Sequence, residues 1–358
     1  MIKDYLRETP VRMQEMLDNH ESYQEVAKEL LVNGIQKIII TGSGTSYHGG
    51  LNAVNFLEKV TGLKVDILYP FMINKNSFND KLTTLLIGIS QDGGSFSTYN
   101  AMQLAKEMGQ YTMSMSGYKD VYIDTIADYI LTVPCGPELA GAKTKGFHCT
   151  SLNIMLLGLQ LGLQNHTLTL QTYQNYLQRI EKTDANMPGI IESSIPWIES
   201  IQNDLAKSND VRLVGTKDNY GNCLEGALKL LETIRCPVSG YEFEEFIHGV
   251  YNAFNQNSTL IVYNSSRETE RLNRLVEVLS EWTEHIYVIG KDILETKNNF
   301  KYDFIDDDDF SLFEYILVIE MMCAIVPTVK GIDPSTPMDP QFHQKLSSKK
   351  FYRTIPIL

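Results

Sequence analysis

Three charged residues on one short stretch have the types and spacing for proton chemistry. In CLEGALKLLETI, residues 223–234, Glu225, Lys229 and Glu232 are spaced by four and three, so a helix puts all three on one face. The flanking Leu224, Ala227, Leu228, Leu230 and Leu231 are apolar, so the charged stripe must face a polar cleft or water. Facing water, it is a salt-bridged surface. In a cleft, the lysine holds a carboxylate ionised as a general base. His248 follows in YEFEEFIHG, with Glu244 and Glu245 about one helical turn before it and able to orient its ring. A structural histidine is the alternative.

A second group of residues suits an anion. TGSGTS (41–46) and SQDGGS (90–95) each end a short β-branched apolar run and precede helix-compatible sequence. Glycine lets backbone N–H groups approach an anion, serine and threonine add O–H donors, and a helix N-terminus adds positive potential. Ordinary Gly-rich turns are the alternative, but two such loops after strands one and three favour a phosphate. Neither loop is a GxGxxG fingerprint or a P-loop. Lys143 and Lys145 in GAKTKG can neutralise a phosphate or a substrate carboxylate, or can lie on a surface loop. His48, just after the first loop, is a further candidate. The other histidines lack metal-ligand spacing, and no metal or cofactor is expected.

The elements that must position these residues alternate. QKIIIT, KVDILY, TTLLIGIS, QYTMSMS and DYILTV read as five strands, most of them separated by helical stretches, which specifies an α/β fold with a parallel sheet covered on both faces. The pattern restarts at DVRLVGTKDNYGN, with STLIVYNSS and EHIYVIG echoing the third and fourth strands. Thr41 to Ser90 and Thr216 to Ser265 are both 49 positions apart, and the copies are offset by 175, which points to a duplicated domain. The expected organisation is amphipathic helices over 1–35, with a fresh helix start at Pro10, a first domain over 36–165, a helical linker over 166–200, a second domain over 201–330, and a coil-like tail over 331–358. Met102, Met108, Met113 and Met115 read as core.

Composition narrows the partners. The 358 residues are 43% hydrophobic and 21% charged, enough for a real core, and length alone favours two domains. With 31 Lys+Arg against 44 Asp+Glu the formal charge is −13, which disfavours nucleic acid and anionic membranes as partners. Five widely spaced cysteines without CxxC read as free thiols in a reducing compartment. The N-terminus lacks an apolar signal core, and the apolar run over 315–326 is too short to span a bilayer. A soluble cytoplasmic protein is expected.

GSGTS, SQ-x-GGS, GPELAGAKTKGF, LEGALKLLE and EEFIHG together resemble the double sugar-isomerase (SIS) domain family over about residues 36–337, with the isomerase half of glucosamine-6-phosphate synthase and the fructosamine-6-phosphate deglycases as nearest kin. The most specific piece is LEGALKLLE with His248 sixteen positions after Glu232. No glutaminase segment or N-terminal cysteine nucleophile precedes the likeness, so a glutamine-driven synthase is not expected. The resemblance implies two tandem SIS domains, each a five-stranded parallel sheet flanked by helices. It implies that Ser46, Ser90, Gln91 and Ser95 bind phosphate, with Gly44, Thr45 and Gly93 beside them and Lys143 near. Glu232 matches the base moving a proton between C1 and C2, Lys229 and Glu225 match helix residues facing the site, and His248 matches a ring-opening histidine given by the neighbouring subunit of a homodimer.

Two departures stand out. Asp92 replaces the family's usual serine, and a carboxylate touching a phosphate costs about 1–4 kcal/mol. Either Asp92 points away or the ligand is not a dianion. In the tail, Met338 follows Pro337 and Phe342 stands five after it, so Lys345 takes no Schiff-base role. The implied ligand is a phosphorylated amino sugar. The expected activity is that of a fructosamine-6-phosphate deglycase, with aldose–ketose isomerase or aminosugar-phosphate deaminase as alternative. A non-catalytic sugar-phosphate sensor is a further alternative, but it would have no use for the Glu232–His248 pair.

Overall fold

Lys37–Thr41 (β1) reads KIIIT and is buried along its whole length, as β-branched residues are when a parallel strand is covered on both faces. The computed structural model describes residues 1–350. Its helices in chain order are α1 (Ile2–Asp18), α2 (Gln24–Val32), α3 (Thr45–Thr61), α4 (Phe96–Glu107), α5 (Lys145–Gln164), α6 (Leu170–Lys207), α7 (Tyr220–Ile234), α8 (Phe243–Ile247), α9 (Thr269–Leu279), α10 (Leu312–Val329) and α11 (Phe342–Lys345). Around β1 run β2 (Lys64–Leu68), β3 (Thr84–Ile89), β4 (Tyr111–Met115) and β5 (Tyr129–Ile130), all parallel, in the order β2-β1-β3-β4-β5. Ile39 stands opposite Asp66 on one side and Leu86 on the other. Ile39, Leu86, Met102 and Ile123 form part of one core cluster, with Met108 packed against it. Met113 and Met115 are also fully buried.

The second sheet is built from β6 (Val211–Gly215), β7 (Val238–Glu242), β8 (Thr259–Asn264), β9 (Ile286–Gly290) and β10 (Asn299–Lys301). Its order, β10-β9-β8-β6-β7, is the same topology read from the other edge. The 175-residue offset recurs at Thr84 and Thr259, which open β3 and β8, and at Tyr111 and Ile286, which open β4 and β9. The fold class is therefore two five-stranded parallel sheets, each flanked by helices. The residues group into two compact units. The first sheet's unit holds 11–139, 145–178 and the chain from 338; the second sheet's holds 1–10, 140–144 and 179–337.

Several local expectations change. Pro10 does not restart a helix; α1 runs through it. Helix α6 likewise carries Pro188 and Pro196 within its 38 residues. Strands β7 and β10 were not expected from sequence: both lie at sheet edges, where half-exposed residues replace the apolar run of a central strand. The apolar run over 315–326 extends to an 18-residue helix, so α10, like α5, is long and apolar enough to cross a membrane by length and composition. Both apolar stretches are instead packed inside the protein, 83% buried for α10 and 94% for α5. The tail expected as coil contains α11 and returns to the first sheet's unit.

Candidate active site

The first sheet's unit carries the anion loops at the carboxyl ends of adjacent strands β1 and β3. After Thr41 the chain turns through Gly44, whose φ of 57° and ψ of −132° suit a residue without a side chain, and enters α3 at Thr45. A Cβ on Gly42 would lie 2.9 Å from the Ser46 Cβ and 3.1 Å from the Ile89 carbonyl oxygen, so Ser46 packs beside the end of β3. Beyond Ile89, the Ser90 N–H donates to the Met115 carbonyl (3.0 Å), and a turn closes through Gly93 N–H to the Ser90 carbonyl (2.8 Å). Ser95 then caps α4, its hydroxyl accepting from the Thr98 N–H (3.4 Å) and hydroxyl (3.1 Å), while its own N–H donates to the Ser90 hydroxyl (3.3 Å). The Ser90 hydroxyl is thus tied to the Ser95 main chain at the start of α4, and the neighbouring start of α3 carries Thr45 and Ser46. Helix N-termini so placed favour an anion.

Two further expected contributors have partners within the protein. The Gly93 N–H closes the turn. The Gln91 amide donates to the Cys135 sulfur (3.1 Å) and packs over Gly117 and Gly146. Asp92 does not stand as a bare carboxylate: the Lys349 ammonium donates to its Oδ2 at 3.1 Å. Lys345, by contrast, pairs with Asp339 (2.6 Å) on the surface. Lys349 was missed because nothing local in SSKKF marks it; its partner lies 257 positions away.

The second unit repeats this loop but fills it from within. Thr216 and Ser265, the counterparts of Thr41 and Ser90, bring their hydroxyls to 3.3 Å of each other. The next residue, Ser266, donates its N–H to Asp306 Oδ2 (2.8 Å), and its hydroxyl donates to the same oxygen. The Arg267 guanidinium lies 3.5 Å from the other Asp306 oxygen. The N–H groups of Ile305 and Asp306 donate to the buried Glu314 carboxylate, which fixes that loop. A protein carboxylate thus occupies these donors in the second loop.

Helix α7 in this unit bears the charged stripe. Glu225 is 0% and Lys229 1% exposed, so most of the stripe is buried rather than facing water; Glu232 is 35% exposed. The Lys229 ammonium donates to Glu232 Oε2 at 2.6 Å and lies 3.7 Å from Glu225 Oε1. Burial alone would lower the lysine's pKa, but the two carboxylates outweigh it and hold the ammonium above the ordinary lysine value. One fixed cation therefore aims a half-exposed carboxylate, the arrangement a general base needs. His248 ends the short α8 with an exposed ring, its Nδ1 donating to the Glu244 main-chain carbonyl at 2.7 Å. The expected orientation by the Glu244 side chain is replaced by that carbonyl, because the Glu244 carboxylate pairs with Arg271 (2.5 Å).

The GAKTKG lysines divide. Lys143 is half-buried in the 140–144 segment of the second unit, where Gly141 N–H donates to the Ser335 carbonyl. Lys145 belongs to the first unit and is fully buried rather than on a surface loop, donating to the Pro137 carbonyl (3.2 Å), and the Glu138 carboxylate caps the α5 start it opens.

Comparison with known proteins identifies the family of the fold. A family model described as SIS domain matches residues 31–159 and 204–294. A Clostridium difficile 630 crystal structure, provisionally assigned as a phosphosugar isomerase, is 45% identical with a TM-score of 0.93, covering 98% of this chain and 99% of that one. A Salmonella typhimurium LT2 structure, provisionally assigned as a sugar binding protein, is also 45% identical, with a TM-score of 0.85, covering 90% of this chain and 98% of that one. The glutamine–fructose-6-phosphate aminotransferase (isomerizing) of Aquifex aeolicus strain VF5 is 25% identical over 84% of this chain and 50% of its own length. This chain thus spans about half the length of the curated relatives it matches. The chain belongs to the SIS domain family, and the two matched stretches fall one on each five-stranded sheet.

Proposed function

We propose that the protein processes a phosphorylated amino sugar, as a fructosamine-6-phosphate deglycase. The observation that carries this reading is the Lys229–Glu232 pair, a half-exposed carboxylate held on a buried cation. The Ser46, Ser90 and Ser95 loop takes the phosphate. His248, exposed on α8, opens the sugar ring for a neighbouring subunit of a homodimer. Glu232 removes a proton from C1 of the open-chain fructosamine, giving an enaminol. The proton is returned at C2, which leaves an imine between C1 and the nitrogen. Water adds to that imine, and the amine departs with the aldose 6-phosphate as second product. General-base transfer of this kind contributes about 10²–10⁴-fold, so Glu232→Gln loses turnover in that range while keeping affinity for the sugar phosphate.

The same proton shift on an oxygen substrate is aldose–ketose isomerisation, which the likeness to the Clostridium difficile protein favours as the second reading. Incubation with a panel of phosphorylated Amadori compounds, with amine release followed by mass spectrometry, tests the choice. Amine release supports the deglycase. Interconversion of hexose phosphates without amine release replaces it by the isomerase. Binding without either product replaces both by a sensor.

A further inference from the structure

The Asp92 carboxylate sits in the loop that the proposed function assigns to a phosphate, and the segment around Lys349 runs against that loop. Two backbone hydrogen bonds join them, Phe96 N–H to the Ser348 carbonyl (3.3 Å) and Lys350 N–H to the Gly94 carbonyl (2.8 Å), forming an antiparallel bridge at Ser95 and Lys349. The approach requires a residue without a side chain: a Cβ on Gly94 would lie 2.6 Å from the Lys350 carbonyl oxygen. The bridge sets Lys349 against Asp92, with both side chains about three-quarters buried. The segment is itself braced by His343 Nδ1 against the Ser348 hydroxyl (2.8 Å), and the Lys350 ammonium lies over the Tyr122 ring at 5.0 Å.

We propose that Lys349 is a positioning residue for the anion loop, acting through Asp92: it neutralises and holds that carboxylate so that a dianionic phosphate can bind between the starts of α3 and α4. This rests on the loop being a phosphate site. A carboxylate left unpaired there would repel the ligand and compete for the N–H groups at the start of α4. Asp92 and Lys349 are then a matched pair, and the loop's departure from an uncharged residue is offset by a lysine from the far end of the chain.

The test is calorimetric titration of glucose 6-phosphate, with inorganic phosphate in parallel, into the full-length protein and four variants. K349M is expected to bind about tenfold more weakly, the size of effect that follows from leaving one charge of a partly buried pair beside an anion. K349R is expected within about threefold of wild type, since charge is what matters. Removing Asp92's charge makes the lysine dispensable, so D92N/K349M is expected within about threefold of D92N. K349M binding as wild type does overturns the proposal. So does a K349M loss that persists undiminished in the D92N background, because the lysine would then act on the phosphate directly or only on the tail. Failure of the wild type to bind either phosphate overturns the assignment of the loop, and this proposal with it.

Discussion

Replacing Lys229 by methionine removes a cation that two carboxylates share while keeping the length of the side chain. The Lys229–Glu225 separation of 3.7 Å corresponds to about 4.5 kcal/mol of attraction at an effective dielectric of about 20. Glu225 is fully buried, so its carboxylate would lose this cation in the core of the second unit. Breaking a buried pair in this way costs about 3–5 kcal/mol. Urea unfolding of Lys229→Met is therefore expected to show a loss of that size, and the double variant Glu225→Gln/Lys229→Met to recover most of it, because the fully buried charge is removed together with the cation that faced it. Activity separates from stability in the same pair of proteins. The double variant folds but leaves Glu232 without the 2.6 Å partner that aims it, so turnover is expected to stay about 10²-fold down. A Lys229→Met protein within 1 kcal/mol of wild type, by the same ~3–5 kcal/mol standard, refutes the buried-pair reasoning. A double variant with normal turnover refutes the role given to Lys229.

Two more outcomes follow. If His248 serves the neighbouring subunit, mixing Glu232→Gln and His248→Ala proteins and allowing subunits to exchange restores about one quarter of wild-type activity, because half of the dimers are mixed and one of their two sites is intact; no restoration places both residues in one chain. Asp184 in α6 is buried with Oδ1 lacking a hydrogen-bond partner, and burial pushes its carboxyl up to about 7. Its folded-state pKa thus exceeds its unfolded value, so the folded state holds the proton more tightly and stability falls as pH rises from about 4 to about 7. Asp184→Asn should stabilise the protein by about 2–4 kcal/mol at pH 8 and far less at pH 4, measured by urea unfolding; an equal change at both pH values counts against it.

The sequence carried some of this plainly. Central strands β1, β3, β6 and β8 announce themselves because strands covered on both faces need unbroken apolar runs, and the 175-residue offset read at Thr41 and Thr216 persists where β3 and β8 open. The Glu225–Lys229–Glu232 stripe follows from helical periodicity, but its burial does not, since that depends on what the rest of the chain lays against α7. Edge strands β7 and β10 lack the apolar pattern because their half-exposed residues need none. Lys349 against Asp92 and Asp306 against Ser266 escape local reasoning for another reason. Each is a contact between distant segments, and neither residue type nor spacing marks it. That same Asp306 contact distinguishes two similar loops in a duplicated chain: the Asp306 carboxylate accepts from Ser266 in one, whereas Asp92 pairs with Lys349 in the other.

The proton shift from C1 to C2 is tested most directly with a fructosamine 6-phosphate carrying two deuterium atoms at C1, its product followed by NMR. Forming the imine requires one deuteron to leave C1, so the expected product is an aldose 6-phosphate with a single deuterium at C1, the other appearing at C2 or in solvent, and Glu232→Gln should form it at least about 10²-fold more slowly. A ketose 6-phosphate that keeps both deuterons on C1, or equal rates in the two proteins, would contradict the account.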